Sequence, residues 1–155
     1  MKTIKRIVVG IDFSVYSAQL LEYAAGIAER NSAEIIAVNI INKRLFESVQ
    51  KEFEDDHLYM FSLDKFIHDE TRRRKENLDT LLGHWVAKQI PVRTIIRGGV
   101  PFEEILKIAE EVDADLLTIN SRGRTNFQDY MYGTTSEKIF GHSPISILSL
   151  NLREY

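Results

Sequence analysis

The sequence predicts an α/β protein built on a five-stranded parallel sheet, doubly wound, with helices on both faces. Three observations predict it. Short β-branched apolar runs alternate with segments whose apolar residues recur every three or four positions, in the order β-α-β-α-β-α-β-α-β. No internal repeat or linker breaks the pattern, and 155 residues suit one domain, here 1–155, against a typical ~100–200. The composition, 44% hydrophobic and 28% charged, is that of a globular chain with a proper core and excludes a disordered one.

Each element has its own signal. Ile4 to Ile11 (IKRIVVGI) is the first strand, ending in Asp12-Phe13-Ser14. Ser14 is read as a helix N-cap. Ala18, Leu21, Ala25 and Ala28, widened by Leu20, Ala24 and Ile27, make a core-facing helix to about Arg30. Glu34 to Ile41 (EIIAVNII) is strand two. Residues 42–62, acidic with scattered aromatics, read as a partly helical excursion. A long helix follows from about Leu63 to Lys88, its apolar face carried by Phe66, Ile67, Leu78, Leu81, Leu82 and Trp85. Pro91 to Arg97 is strand three, and Gly98-Gly99 turns the chain. Pro101 suits the first turn of the next helix, marked by Phe102, Ile105, Leu106, Ala109 and Val112. Asp115 to Asn120 is strand four. A short helix from about Thr135 to Phe140, stopped by Gly141, precedes strand five, Pro144 to Leu150.

Several function classes are excluded or disfavoured. With no cysteine there is no disulfide scaffold, cysteine nucleophile, Fe–S cluster or thiolate zinc. Twenty basic against 23 acidic residues give no basic excess for nucleic acid or an anionic membrane. No signal peptide and no run of about 18 apolar residues is present, so a soluble, cytoplasmic protein is expected. Neither GxxxxGK[ST] nor GxGxxG occurs, Ser14 has no nucleophile elbow, and His57, His68, His84 and His142 are isolated, which disfavours a dedicated metal site. Asp69 and Glu70 sit four residues before Arg73 and Arg74, so Arg72-Arg73-Arg74-Lys75 reads as a solvated helix face with surface ion pairs.

In an open parallel sheet, ligands sit beyond the carboxyl ends of the strands where the strand order reverses. Taking strand one as central with strand four beside it, the lining residues are Asp12-Phe13-Ser14 and Ser121 to Gly133. The second segment holds Gly123 and Gly133, arginines Arg122 and Arg124, and the hydroxyl run Thr134-Thr135-Ser136. It begins at a strand end and finishes at a helix N-terminus, whose free N–H groups and dipole suit a phosphate. The glycines allow close approach of the backbone, and the arginines can screen phosphate charge. The same residues also fit a purely local reading: Thr134 and Glu137 match a capping box, with Gly133 a turn residue. Asp12 likewise fits either a ligand contact or a cap for the next helix.

The segment resembles the nucleotide-binding signature of the universal stress proteins: a Gly, two residues, a Gly, nine residues, then Gly and Ser or Thr. Gly123, Gly133 and Thr134 match it; the first glycine position is Asn120. Val9-Gly10-Ile11-Asp12-Phe13-Ser14, Gly99-Val100-Pro101-Phe102-Glu103-Glu104-Ile105, Ser136-Glu137-Lys138 and His142-Ser143-Pro144 are also similar to that family, and only residues 43–65 look idiosyncratic. Asn tolerates a left-handed backbone but adds a side chain where the family brings the ligand close.

The resemblance implies a Rossmann-like sheet of the adenine nucleotide alpha hydrolase type, strand order 3-2-1-4-5. It implies ATP as ligand, with ADP or AMP as alternatives and Mg²⁺ arriving with the nucleotide. Ile11 and Asp12 would hold the nucleoside, Val38 would lie against adenine, and Gly123, Gly133, Thr134, Thr135 and Ser136 would meet the phosphates. Asn120, Arg122 and Arg124 would border them. The family dimerises through its last strand, so a homodimer on residues 144–150 is expected. The expected function is a nucleotide-binding stress-response regulator. No tuned base stands out, so little or no turnover is expected. The alternatives are a nucleotide-free scaffold dimer and a slow ATP hydrolase.

Overall fold

The computed structural model describes residues 3–53, 59–121 and 134–151. Its strands are β1 (Arg6–Gly10), β2 (Glu34–Asn42), β3 (Val92–Gly99), β4 (Leu116–Asn120) and β5 (Ser146–Leu150). Its helices are α1 (Ser17–Asn31), α2 (Lys43–Phe53), α3 (Tyr59–Ala87), α4 (Pro101–Glu111) and α5 (Thr134–His142). The strands form one parallel sheet in the order β3-β2-β1-β4-β5, as expected. The order reverses between β1 and β4, so that is the switch point.

Side-chain alternation along the strands divides the core in two. Ile7, Val9 and Ile11 pack with Leu20, Leu21, Ala24, Ala25 and Ala28 of α1 and Leu78 and Leu82 of α3. Val8, Ile36, Val38, Leu117 and Ile119 point the other way, against Ile105, Ile108 and Ala109 of α4 and Ile139 of α5. Period two in the strands and 3.6 in the helices are both satisfied because both sheet faces are covered. Each large aliphatic side chain so buried contributes about 1.5–3 kcal/mol. The small alanines of α1 let that helix lie close to the sheet.

Element ends differ from expectation for identifiable reasons. Ser14 is not the cap of α1: the helix starts at Ser17 after Tyr16, which makes no side-chain cap bond. Ser14 and Asp12 share the polar groups of this turn: the Ser14 hydroxyl accepts from the Tyr16 amide at 3.4 Å and its carbonyl from the Ser17 amide at 3.1 Å, while Asp12 accepts from Ser14 and Ser17. Gly98 and Gly99 do not turn the chain but end β3, paired with Ile41 and Asn42 of β2; the turn comes at Val100-Pro101. Gly141 does not stop α5, which runs to His142. Pro144 ends it, because a residue preceding proline is biased away from helix. The excursion after β2 contains a regular helix, α2, and α3 begins earlier than expected, at Tyr59. Among the described residues, no helix is long and apolar enough to cross a membrane.

The basic run on α3 is the main correction. Glu70 pairs with Arg74 four residues on, as expected, while Asp69 pairs with Arg72, and Lys75 pairs with Asp79 on the surface. Arg74 and Glu70 are instead buried, each 9% exposed.

Candidate functional site

The site grows from the place where β1 leaves the sheet. Gly10 pairs with Val38, and the Ile11 amide still donates to the Val38 carbonyl at 2.8 Å. The Ile11 carbonyl then accepts from a side chain: Asn39 Nδ2 donates to it at 2.7 Å. Beyond that point the chain turns sharply. Phe13 has φ +58°, a left-handed conformation that is uncommon for a bulky residue. Such strain persists only where neighbouring contacts over-determine it, and it concentrates at functional sites.

Asp12 holds this turn. Its Oδ1 accepts from the Ser14 amide at 2.9 Å and from the Ser17 hydroxyl at 3.2 Å. The local, capping role of Asp12 is therefore real. It uses one oxygen; neither bond falls on Oδ2. A carboxylate accepts at both oxygens, so capping leaves capacity for a hydroxyl or amino group.

The other wall rises from β4. Val9 pairs with Thr118, so two residues further along Ile11 is level with Asn120. Asn120 ends β4 opposite Leu150 of β5. Its φ is not positive, so the tolerance of Asn for a left-handed backbone is not what this position uses. The Ser136 hydroxyl donates to the Asn120 carbonyl at 2.9 Å. This bond fastens the first turn of α5, and with it the positive end of its dipole, to the carboxyl end of β4. Ser121 is fixed on the other side, its amide and hydroxyl both donating to the Leu150 carbonyl, at 2.9 and 3.0 Å. Thr134 is the first helical residue of α5 and not its cap. Glu137 then stands one position too far along for a capping box, and its side chain is exposed.

Of the residues singled out in the sequence, the fold thus brings Ile11, Asp12, Asn120 and Ser136 to the carboxyl ends of the adjacent strands β1 and β4; Val38 lies in the middle of β2 beside Gly10, with its side chain buried in the core. Thr134 and Thr135 join them in the first turn of α5. Arg122, Gly123, Arg124 and Gly133 lie outside the described residues. An open groove of about 290 Å³ adjoins this region, lined by Phe13, Ser14, Ser17 and Ala18 and by Asn77, Thr80 and Leu81 of α3. It lies on the α1/α3 side of the sheet and shares only the Phe13-Ser14 turn with the switch point.

Sequence reasoning missed a buried polar chain behind the site. Arg74 Nη1 donates to Asn39 Oδ1 at 2.8 Å, and Arg74 Nε donates to Glu70 Oε1 at 2.7 Å. Arg73 also donates to Glu70, at 2.7 and 2.8 Å. Burial disfavours the charged form of Glu70, but the hydrogen bonds and positive charges of Arg73 and Arg74 outweigh it, and the carboxyl is held below its ordinary pKa of 4.5. A lone amide inside the apolar run EIIAVNII was the available signal; its partner stands 35 residues away.

With this geometry in place, comparison with known proteins decides the lineage. The sequence profile of the universal stress protein family matches residues 3–150. The chain belongs to the universal stress protein family. Universal stress protein MJ0577 of Methanocaldococcus jannaschii is 27% identical over 160 aligned residues, covering 93% of each chain. A putative universal stress protein of Staphylococcus saprophyticus is also 27% identical, covering 99% of this chain and 87% of its own. The solved structure of MJ0577 superposes with a TM-score of 0.84 at 23% identity, covering 99% of this chain and 100% of that one. Two more distant universal stress protein structures share the fold. One is a complex with cAMP, with a TM-score of 0.57, 18% identity and 96% and 98% coverage of this chain and its own. The other, from Archaeoglobus fulgidus, is a complex with dAMP, with a TM-score of 0.62, 15% identity and the same coverage.

Proposed function

We propose that this universal stress protein binds an adenine nucleotide at the β1/β4 switch point and acts as a regulatory homodimer with little or no turnover. ATP is the favoured ligand. The carrying observation is the pairing of two features at one end of the sheet: a strained turn presenting the Asp12 carboxylate, and the start of α5 fastened to Asn120 through Ser136. A nucleotide is recognised at both ends, by an acceptor for its ribose or base and by amide donors for its phosphates. This donor set fits such a ligand. The cAMP and dAMP complexes of other family members support the same reading.

In this reading Ile11 and Asp12 hold the nucleoside, and Val38, buried beside Gly10, backs the base from within the sheet. Thr134, Thr135 and Ser136 meet the phosphates together with Arg122, Gly123, Arg124 and Gly133. The Ser136 hydroxyl hydrogen is committed to Asn120, so Ser136 offers a phosphate its backbone amide. Mg²⁺ enters with the nucleotide. A micromolar dissociation constant, about −8 kcal/mol, is within reach of several such contacts.

Assembly belongs to the same proposal. β5 is an edge strand whose residues Ile147 to Leu150 are all partly exposed. Among the described residues no strand pairs with its outer side, which would offer N–H and C=O groups to a second copy along residues 144–150. Isothermal titration with ATP, with and without Mg²⁺, tests the binding, and a phosphate-release assay tests the absence of turnover. A release rate of roughly 1–100 s⁻¹, as in an ordinary kinase, would replace this reading with an enzymatic one.

A further inference from the structure

We infer that Asn39 and Arg74 are positioning residues for the nucleotide site, forming a buried strut that runs from α3 to the turn carrying Asp12; the inference rests on the nucleotide-binding reading above. The strut has four members in series. Glu70 accepts from Arg74 Nε, Arg74 Nη1 donates to Asn39 Oδ1, and Asn39 Nδ2 donates to the Ile11 carbonyl. The last bond ends one residue before Asp12 and two before the left-handed Phe13.

Three features separate this chain from an ordinary surface ion pair. First, it is buried: Asn39 is 3% exposed and Glu70 and Arg74 are 9% exposed. A polar group in such surroundings is costly to leave unpaired, so each member holds the next in place. Second, the orientation of Asn39 is dictated from both ends. Its oxygen is taken by a guanidinium, which cannot accept, so its amide nitrogen must be the atom that meets the carbonyl. Third, the strut acts where the sheet can no longer do so. Ile11 is the first residue past β1, and its carbonyl is held by a side chain from the neighbouring strand. The turn that follows includes a conformation that needs external support. Arg74 therefore acts on Asp12 through Asn39, and α3 and the ligand site are mechanically linked.

The test uses the full chain and four variants. Asn39→Asp keeps an acceptor for Arg74 and removes the donor to Ile11. Arg74→Met removes the guanidinium. Arg74→Lys keeps the charge beside Glu70 but loses the fork that reaches Asn39, and covers the case in which Arg74→Met does not fold. Lys75→Met, at an exposed neighbour paired with Asp79, is the control. Two quantities are read: hydrogen–deuterium exchange of the nucleotide-free protein in peptides covering residues 11–17 and 116–120, and ATP affinity well below each variant's melting temperature. The strut predicts exchange about tenfold faster at 11–17 and unchanged at 116–120, with ATP affinity weakened by a similar factor, in the Asn39 and Arg74 variants only. General destabilisation would instead speed exchange in both peptides and leave affinity unchanged, and that result overturns the inference. So does wild-type behaviour of the Asn39 and Arg74 variants in both measurements. If the wild-type protein takes up no ATP, the nucleotide reading falls. The exchange data then decide the strut alone: faster exchange confined to 11–17 upholds it, and unchanged exchange refutes it.

Discussion

The Asp12 carboxylate holds the start of α1 through Oδ1 and, in the proposed function, a nucleotide through its remaining capacity. The two roles separate by substitution. Asp12→Asn keeps an oxygen for Ser14 and Ser17, so stability is expected within about 0.5 kcal/mol of wild type. ATP affinity should fall about tenfold as a charged acceptor is lost. Asp12→Ala loses both roles and should cost about 1 kcal/mol of stability as well. Chemical denaturation with parallel calorimetry checks both variants. The capping role of Asp12 was legible in the sequence because a carboxylate directly after a strand is well placed to cap the next helix; its ligand role was suggested only by the family resemblance. The burial of Arg74 was not legible. Spacing of three and four reveals pairs along one helix, and it revealed Glu70 as a partner. It carries no information about a partner on another element, so it gave no sign that Arg74 would be drawn inward by Asn39.

Elements obey their periodicity more closely than their boundary residues suggest. The five strands and the other four helices were legible in kind, because apolar spacing survives any choice of end; α2 (Lys43–Phe53) was not, since its acidic stretch with scattered aromatics read only as a partly helical excursion. The ends moved where a long-range partner outweighed a local signal. Gly98-Gly99 looks like a turn until β2 supplies hydrogen bonds as far as Asn42. Gly99 has φ +152°, and a Cβ there would stand 2.7 Å from Glu104 Cγ. Gly99→Ala is therefore expected to destabilise the protein by about 1–3 kcal/mol, measured by urea unfolding. On α3, Glu70 is expected to contribute acid sensitivity. Its carboxyl titrates below the ordinary 4.5, so its contribution to stability is complete above that value and is lost as pH falls through the lowered one. Glu70→Gln removes that loss. The drop in melting temperature between pH 6 and pH 3 should be smaller in Glu70→Gln than in wild type; an equal drop would assign the sensitivity to other carboxylates.

At the scale of the molecule, the strand order β3-β2-β1-β4-β5 brings together Asp12 and Ser136, residues far apart in the chain. The helix-covered parallel sheet was legible because strands and helices alternate; the strand order was legible only through the family resemblance. The edge position of β5 carries the assembly prediction. Ile147→Lys places a charge on the proposed dimer strand, and light scattering should report a monomer where wild type is a dimer; a dimer that persists excludes this interface. The central claim is nucleotide binding at the switch point, and calorimetry of folded, nucleotide-stripped protein with ATP and Mg²⁺ tests it most directly. The account predicts one site per chain with a dissociation constant on the order of micromolar, about −8 kcal/mol. The absence of any binding heat over a range of temperatures, from protein shown to be folded, would contradict it.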